Sequence, residues 1–215
     1  MRFPNAYAGV SKIRTAQILS VIVTVILLLA AVLGLVLLQT DLENPGGSTL
    51  LLAGGVTILA LVSGILGIIS LILNIVGINR ASKDESTFNL ALAVVIVNIL
   101  VAAVNTAVPG ESGLSDILDL VSTVAQALTA IFVIRGVTNL ADQLGDGEMV
   151  EQGGRTQTLV LILCAAGLVL RAAADYFLDP SSLAANVLLL VSSLFSLAQF
   201  VVYLLYLNRA RQLLV

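Results

Sequence analysis

The amino-acid sequence predicts an all-α integral membrane protein with six transmembrane helices. Of its 215 residues, 59% are hydrophobic and only 11% are charged. The mean hydropathy of +1.08 lies well above that of water-soluble domains. Six apolar runs are each long enough to cross the roughly 30 Å hydrocarbon core of a bilayer. Helix-terminating prolines follow the first, third and fifth runs, at Pro45, Pro109 and Pro180.

The six apolar runs are separated by short connections. A short segment before the first run carries Phe3, Tyr7 and Val10 at helical spacing, and we expect it to lie at the membrane interface. No signal-peptide cleavage pattern follows the first run, which predicts that it is retained as a helix. The predicted transmembrane helices cover residues 16–38, 50–78, 88–108, 114–134, 156–178 and 183–207.

The helices are predicted to pair into three α-hairpins, over residues 1–80, 81–145 and 146–215 of a single membrane domain. Short polar motifs recur near the ends of these hairpins. They read Arg14-Thr15-Ala16-Gln17, Ser86-Thr87-Phe88-Asn89 and Arg155-Thr156-Gln157-Thr158 before the odd-numbered helices, and Ile78-Asn79-Arg80-Ala81, Ile134-Arg135-Gly136 and Leu207-Asn208-Arg209-Ala210 after the even-numbered ones. The recurrence favours a two-helix unit repeated three times. Alternatively, membrane topology alone makes helix ends on one face alike.

Basic residues predict the orientation of the chain in the membrane. Nine of the ten Lys and Arg residues fall on one face of the predicted bundle: Arg2, Lys12, Arg14, Arg80, Lys83, Arg135, Arg155, Arg209 and Arg211. The opposite loops carry only acidic charges, at Asp41, Glu43, Glu111 and Asp179. By the positive-inside rule, we expect a protein of the cell (plasma) membrane with both termini in the cytoplasm.

Composition also argues against several classes of function. A formal net charge of −3 and the absence of a basic patch argue against a nucleic-acid partner. The chain has no His and a single Cys, Cys164, which lies within an apolar run. We therefore predict no metal site, no cofactor, no catalytic residue and no enzymatic activity.

Ionisable and amide side chains inside the predicted spans are the candidate functional residues, because such groups are costly in lipid and usually face a bundle interior. On the fourth helix, Asp116, Asp119, Thr123 and Gln126 share one face by their spacing. The candidate ligand-binding residues, which we expect to line a polar interior between helices three, four and five, are Arg171, Asp175, Asp119, Asp116, Gln126, Asn98 and Asn105.

Arg171 is the basic residue that lies away from the basic face. At about 1.5 Å per helical residue, Arg171 and Asp119 come out at the same depth in the membrane. Asp175, one turn from Arg171, is the competing partner. One interpretation is a salt-bridged clamp between helices four and five. The other is an outward-opening pocket in which Arg171 meets an anionic group or an Asp meets a cation.

Two functions agree with these patterns. The first is a small-solute binding or transport module, and the alternative is a non-enzymatic membrane subunit, regulator or immunity-type protein. Lipid surrounds the chain in either case. A protein partner could dock on the acidic, Gly-rich residues 142–154, which we interpret as a flexible cytoplasmic connector. It could instead dock on small residues of helix two, at Ser63, Gly64, Gly67 and Ser70. Asn74, Asn79 and Gln199 are expected to form hydrogen bonds between helices.

Overall fold

The computed structural model describes residues 3–38, 47–108, 113–177 and 182–214. Within these ranges the regular secondary structure is six α-helices, each long and apolar enough to cross a membrane. They are α1 (Pro4–Leu38), α2 (Gly47–Ala81), α3 (Thr87–Ala107), α4 (Gly113–Leu144), α5 (Gly147–Phe177) and α6 (Leu183–Leu213). The predicted all-α class and helix number are confirmed. The expected hairpin tips at Pro45, Pro109 and Pro180 lie outside the described residues.

The long extensions beyond the predicted spans, in α1, α4, α5 and α6, all point toward the end of the bundle that carries the chain termini. The expected interfacial segment is the first part of α1, which begins at Pro4 because proline is well suited to the first position of a helix. Likewise, α5 begins at Gly147. The motifs at Arg14 and Arg155 therefore lie inside helices and do not open them, contrary to the sequence interpretation.

The helices form a ring in chain order. Contacts are most extensive within the pairs α1–α2, α3–α4 and α5–α6. Helix α4 also packs on α5, and α1 packs on α6, which closes the ring. Among neighbouring helices, α2 and α3 make the least extensive contact. The arrangement leaves space between the helices for an interior site.

The tightly packed core lies at one end of the bundle, here called the closed end, which carries the α2–α3 and α4–α5 connections. Its largest buried side chains include Phe88, Ile134, Tyr206 and Leu207, each at most 1% exposed. The opposite end is called the open end. There, the segments 53–62 of α2, 96–108 of α3 and 113–124 of α4 contain no buried residue. Packing therefore seals the bundle at the closed end and loosens toward the open end.

The α2–α3 connection ties three helices together at the closed end through two carboxylates. Asp84 accepts hydrogen bonds from Ala6 N at 2.7 Å and from Asn5 Nδ2 at 2.9 Å, so it caps the positive end of α1. Glu85 accepts from Thr87 Oγ1 at 2.7 Å and from Asn139 Nδ2 of α4 at 3.2 Å. The connection thus fixes the starts of α1 and α3 and holds both near α4.

The prediction of a flexible connector over residues 142–154 is wrong. Residues 142–144 complete α4, residues 147–154 begin α5, and only Gly145 and Asp146 join the two helices. Gly145 has φ +76°, a conformation that glycine adopts without strain and that commonly ends helices. Asp146 Oδ1 accepts from Met149 N at 2.9 Å and caps α5. Capping by these two residues turns the chain tightly.

Glycines in this region serve close packing. A Cβ atom on Gly153 would collide with Thr138 Oγ1 and lie 3.1 Å from the Tyr206 hydroxyl oxygen. A Cβ atom on Gly9 would lie 2.5 Å from Gly77 O, where α1 crosses α2. Both helix crossings therefore require glycine, because a side chain at either position would collide with the neighbouring helix.

Candidate functional site

A cavity of about 420 Å³ lies inside the ring, between α1, α2, α3, α4 and α6. Seventeen residues line it, of which ten carry an amide or a hydroxyl group. These ten are Gln17, Ser20, Thr24, Ser70, Asn74, Asn98, Gln126, Thr129, Gln199 and Tyr203. Three lining residues, Val95, Ala130 and Tyr203, also belong to the closed-end core. The cavity therefore adjoins the sealed end of the bundle and has polar walls. We call it the central cavity.

Helical spacing places these polar groups on inward faces. On α1, Gln17, Ser20 and Thr24 follow at i, i+3 and i+7, and on α2, Ser70 and Asn74 are one turn apart. Hydrophobic residues at the intervening positions, such as Ile22 at 42% exposure, face outward. Helical periodicity thus turns the few polar residues of these helices toward the cavity, away from the apolar outer surface.

Three of the hydroxyl groups that line the cavity donate to helix backbones. Ser70 Oγ donates to Ala16 O at 2.8 Å. Thr24 Oγ1 donates to Ser20 O, and Thr129 Oγ1 donates to Ala125 O, both at 2.9 Å. A hydroxyl has one proton and two acceptor lone pairs. Because the protons are taken by backbone carbonyls, these oxygens can only accept, and Ser70 Oγ already accepts from Ser20 Oγ at 2.9 Å.

The amide groups differ in how well they are paired. Gln17 Nε2 donates to Phe200 O at 3.3 Å, which leaves its Oε1 as an acceptor. Asn98 Oδ1 is buried and has no hydrogen-bond partner among the described residues. An unpaired buried acceptor in a membrane protein is costly, and such groups are normally satisfied. Asn98 therefore marks a position where a donor from water or a ligand fits.

A second group of polar residues joins α3, α4 and α5 nearer the open end. Arg171 Nη2 donates to Asp119 Oδ2 at 2.7 Å, and Arg171 Nε lies 3.6 Å from Asp175 Oδ2. Asn105 Nδ2 donates to the other oxygen of Asp119, Oδ1, at 2.8 Å, and Ser115 Oγ donates to Asn105 Oδ1 at 2.9 Å. The depth match between Arg171 and Asp119 estimated from the sequence corresponds to a direct ion pair. We call this group the outer cluster.

The outer cluster borders a small pocket of about 160 Å³ between α4 and α5. Its polar lining includes Asp116, Thr123, Arg171 and Asp175. The side chains of Arg171 and Asp119 are 43% and 40% exposed, so the ion pair is only half buried. Because Arg171 is engaged by two aspartates, its geometry favours the clamp interpretation over a free anion-binding site.

The candidate residues therefore fall into two separate places. Asn98 and Gln126 line the central cavity, whereas the other five belong to the outer cluster or its pocket. The expected interior between helices three, four and five corresponds to the outer cluster alone. The larger cavity also draws on α1, α2 and α6, and the sequence analysis did not assign Gln17, Ser20 or Thr24 to a site. Their spacing on one face of α1 was the signal that could have identified them.

The small-residue face of α2 points into the bundle. Ser63 is 4% exposed, Ser70 Oγ lies 2.9 Å from Ser20 Oγ of α1, and Gly67 lines the central cavity. Gly64, by contrast, is exposed. This placement assigns Ser63, Gly67 and Ser70 to internal packing and to the cavity wall.

Comparison with known proteins found no match to a protein-family model, a curated protein or a solved structure. The protein's function is therefore inferred from the geometry of the central cavity and the outer cluster. The protein is a multi-pass membrane protein whose described part has six apolar helices around a polar cavity.

Proposed function

We propose that the protein binds a small solute in the central cavity and acts as a binding or transport module, without catalysing a reaction. The observation that carries this proposal is Asn98 Oδ1, a buried acceptor without a partner that lines a cavity of about 420 Å³. Amides used only to hold helices together normally pair with a neighbouring helix. An acceptor left unpaired beside open space is better suited to a ligand.

The size of the cavity supports a ligand. At about 30 Å³ per molecule in the liquid, a cavity of 420 Å³ has room for roughly a dozen waters or one small organic solute. Ten polar lining residues favour a hydrated or ligand-filled site, since dry cavities in proteins are lined by apolar groups.

For the orientation, we propose that the closed end faces the cytoplasm. Lys83 in the α2–α3 connection and Arg209 and Arg211 near the end of α6 lie at the closed end, as cytoplasmic basic residues do. The closed-end core then separates the central cavity from the cytoplasm. In this proposal, the described conformation receives solute from the side of the membrane opposite the cytoplasm.

The proposal is tested by filling the cavity. Gly67 lines it, and an added Cβ atom there would meet nothing within 4 Å, so Gly67→Leu should fold and occupy cavity space. Gly64→Leu is the matched control, because Gly64 is equally open but lies outside the cavity. Native mass spectrometry of gently extracted protein measures the small molecule that stays bound.

We expect the wild type and Gly64→Leu to retain the same small molecule and Gly67→Leu to lose it, with all three proteins equally stable. Retention of the molecule by Gly67→Leu would show that it binds elsewhere and would overturn the proposal. Capture of a stoichiometric protein partner without any small molecule would also overturn it and would favour a membrane subunit or regulator.

A further inference from the structure

We infer that the solute of the central cavity is uncharged and both donates and accepts hydrogen bonds, in the chemical class of the polyols. This inference rests on the proposed function and adds the substrate class to it. It follows from three properties of the cavity wall, namely its charge, its balance of donors and acceptors, and its size.

The first property is charge. Among the described residues that line the central cavity, none is acidic or basic, although the outer cluster lies partly on two of the same helices, α3 and α4. A buried ion is stable only when it is paired with an opposite charge or coordinated by ligands arranged for it. An anion or an organic cation would find no counter-charge in this lining. The wall therefore favours a neutral solute.

The second property is the balance of donors and acceptors. Thr24, Ser70 and Thr129 use their hydroxyl protons on backbone carbonyls, so that their oxygens can only accept, and Ser70 already accepts one hydrogen bond from Ser20 Oγ. Gln17 uses one amide proton in the same way and keeps its Oε1 and a second N–H. Together with Asn98 Oδ1, these groups form a set of acceptor oxygens from four helices. The amides of Asn74, Asn98, Gln126 and Gln199 add N–H donors to the same wall. A polyol, whose hydroxyl groups both donate and accept, would satisfy both sets.

The third property is size. Neutral oxygens can also coordinate a dehydrated metal ion, but such ligands must lie within roughly 2.6 Å of the ion. A cavity of about 420 Å³ is far larger than a single coordination shell. This volume lies within the roughly 300–1,000 Å³ of small-molecule pockets, which suits a polyol of five or six carbons. The cavity dimensions thus favour a molecular solute.

The test compares three probes that share one polyol chain and differ in charge, namely sorbitol, the anion gluconate and the cation N-methylglucamine. Each radiolabelled probe is measured for equilibrium binding to the full chain in lipid nanodiscs. We expect sorbitol to bind, and both charged probes to bind at least tenfold more weakly. Asn98→Leu should weaken sorbitol binding about tenfold, since one hydrogen bond in a buried site is lost.

Thr24→Val serves as a second variant, because it removes an acceptor oxygen while preserving the shape of the side chain. It should weaken sorbitol binding severalfold. Its matched control is Thr57→Val on α2, where the hydroxyl makes the same type of backbone hydrogen bond, to Ala53 O at 3.0 Å, but is exposed and outside the cavity. We expect Thr57→Val to bind sorbitol as the wild type does.

Each outcome distinguishes the inference from the proposed function. If a charged probe binds as well as sorbitol or better, the solute class is wrong while solute binding stands. If sorbitol binding falls equally in Thr57→Val and Thr24→Val, the placement of the solute in the central cavity is wrong. If none of the probes binds, the polyol class is overturned. If, in addition, native mass spectrometry finds no small molecule on the wild type, the proposed function falls as well.

Discussion

Two arginines on the same helix show how the setting of an ion pair determines its contribution to stability. Arg155 pairs with Glu151 one turn away, and the two side chains are 75% and 66% exposed. Arg171 pairs with Asp119 on a different helix and is 43% exposed. Exposed pairs within one helix contribute little because solvent screens them and side-chain entropy opposes them. The interhelical pair, which is shared with Asn105 and Asp175, should contribute more.

We predict that Arg171→Ala lowers the free energy of unfolding by about 1 kcal/mol. This value is at the low end for a charged hydrogen bond, because solvent screens the half-exposed ion pair. Arg155→Ala is the control and should change it by less than about 0.5 kcal/mol. Chemical unfolding in detergent measures both. A double-mutant cycle with Asp119→Asn isolates the pair. Equal stability losses in the two arginine variants would contradict the clamp interpretation.

At the level of single residues, the sequence predicted the outer cluster better than the central cavity. Arg171 and Asp119 are rare charges within apolar spans, so that their depth could be estimated from helical rise alone. Serine and threonine are different, because their hydroxyls can bond to their own helix, as Thr24 and Thr158 both do. Such residues lie on inward and outward faces alike. Only the packing of five helices shows which of them line a cavity.

At the level of helices and connections, the α2–α3 connection holds the closed end together. Burial raises the pKa of the Glu85 carboxyl, but the hydrogen bonds that it accepts, chiefly from Thr87 and Asn139, outweigh burial and hold its pKa below the ordinary value of 4.5. The unfolded chain then binds the proton more tightly than the folded chain. The stabilisation is therefore complete above pH 4.5 and is lost as the pH falls through the lower folded-state pKa.

We therefore predict that Glu85→Gln makes the protein less sensitive to acid. Between pH 6 and about pH 3, the melting temperature of the wild type should fall more than that of Glu85→Gln, because the variant has no Glu85 carboxylate to protonate. Thermal unfolding at the two pH values measures the difference. Glu148→Gln, at an exposed position in the first turn of α5, should behave as the wild type does. An identical acid response of wild type and Glu85→Gln would refute this role of the connection.

Helix existence and number could be predicted from apolar runs, whereas helix ends could not. The runs report only the part of each helix that lies in hydrocarbon, so the closed-end extensions of α1 and α5 were missed. Composition was also misleading at residues 142–154, where glycines suggested flexibility. Gly145 ends α4 with a positive φ, and Gly153 allows close packing against Thr138, so neither marks a flexible segment. These roles depend on neighbouring helices that a local pattern does not contain.

Over the whole molecule, packing is uneven along the bundle axis. The closed end is a continuous apolar core, while much of the open end leaves α2, α3 and α4 without buried residues. The central cavity lies between the two ends, and Asn98 lines its wall. Helices α2 and α3, which both line the cavity, make the least extensive contact of any neighbouring pair. A bundle that is sealed at one end and polar inside is suited to holding a solute.

The central claim is that the cavity around Asn98 is open to water and solute, and thiol reactivity tests it most directly. In a Cys164→Ser background, Asn98→Cys is compared with Val97→Cys, whose side chain faces outward and is 52% exposed on the apolar surface. Alkylation by iodoacetamide in nanodiscs requires the thiolate, which forms in a hydrated site and not in lipid. We predict that Asn98→Cys reacts at least about tenfold faster than Val97→Cys, since lipid disfavours the charged thiolate. If Asn98→Cys is as unreactive as Val97→Cys, the interior is dry and the account is contradicted.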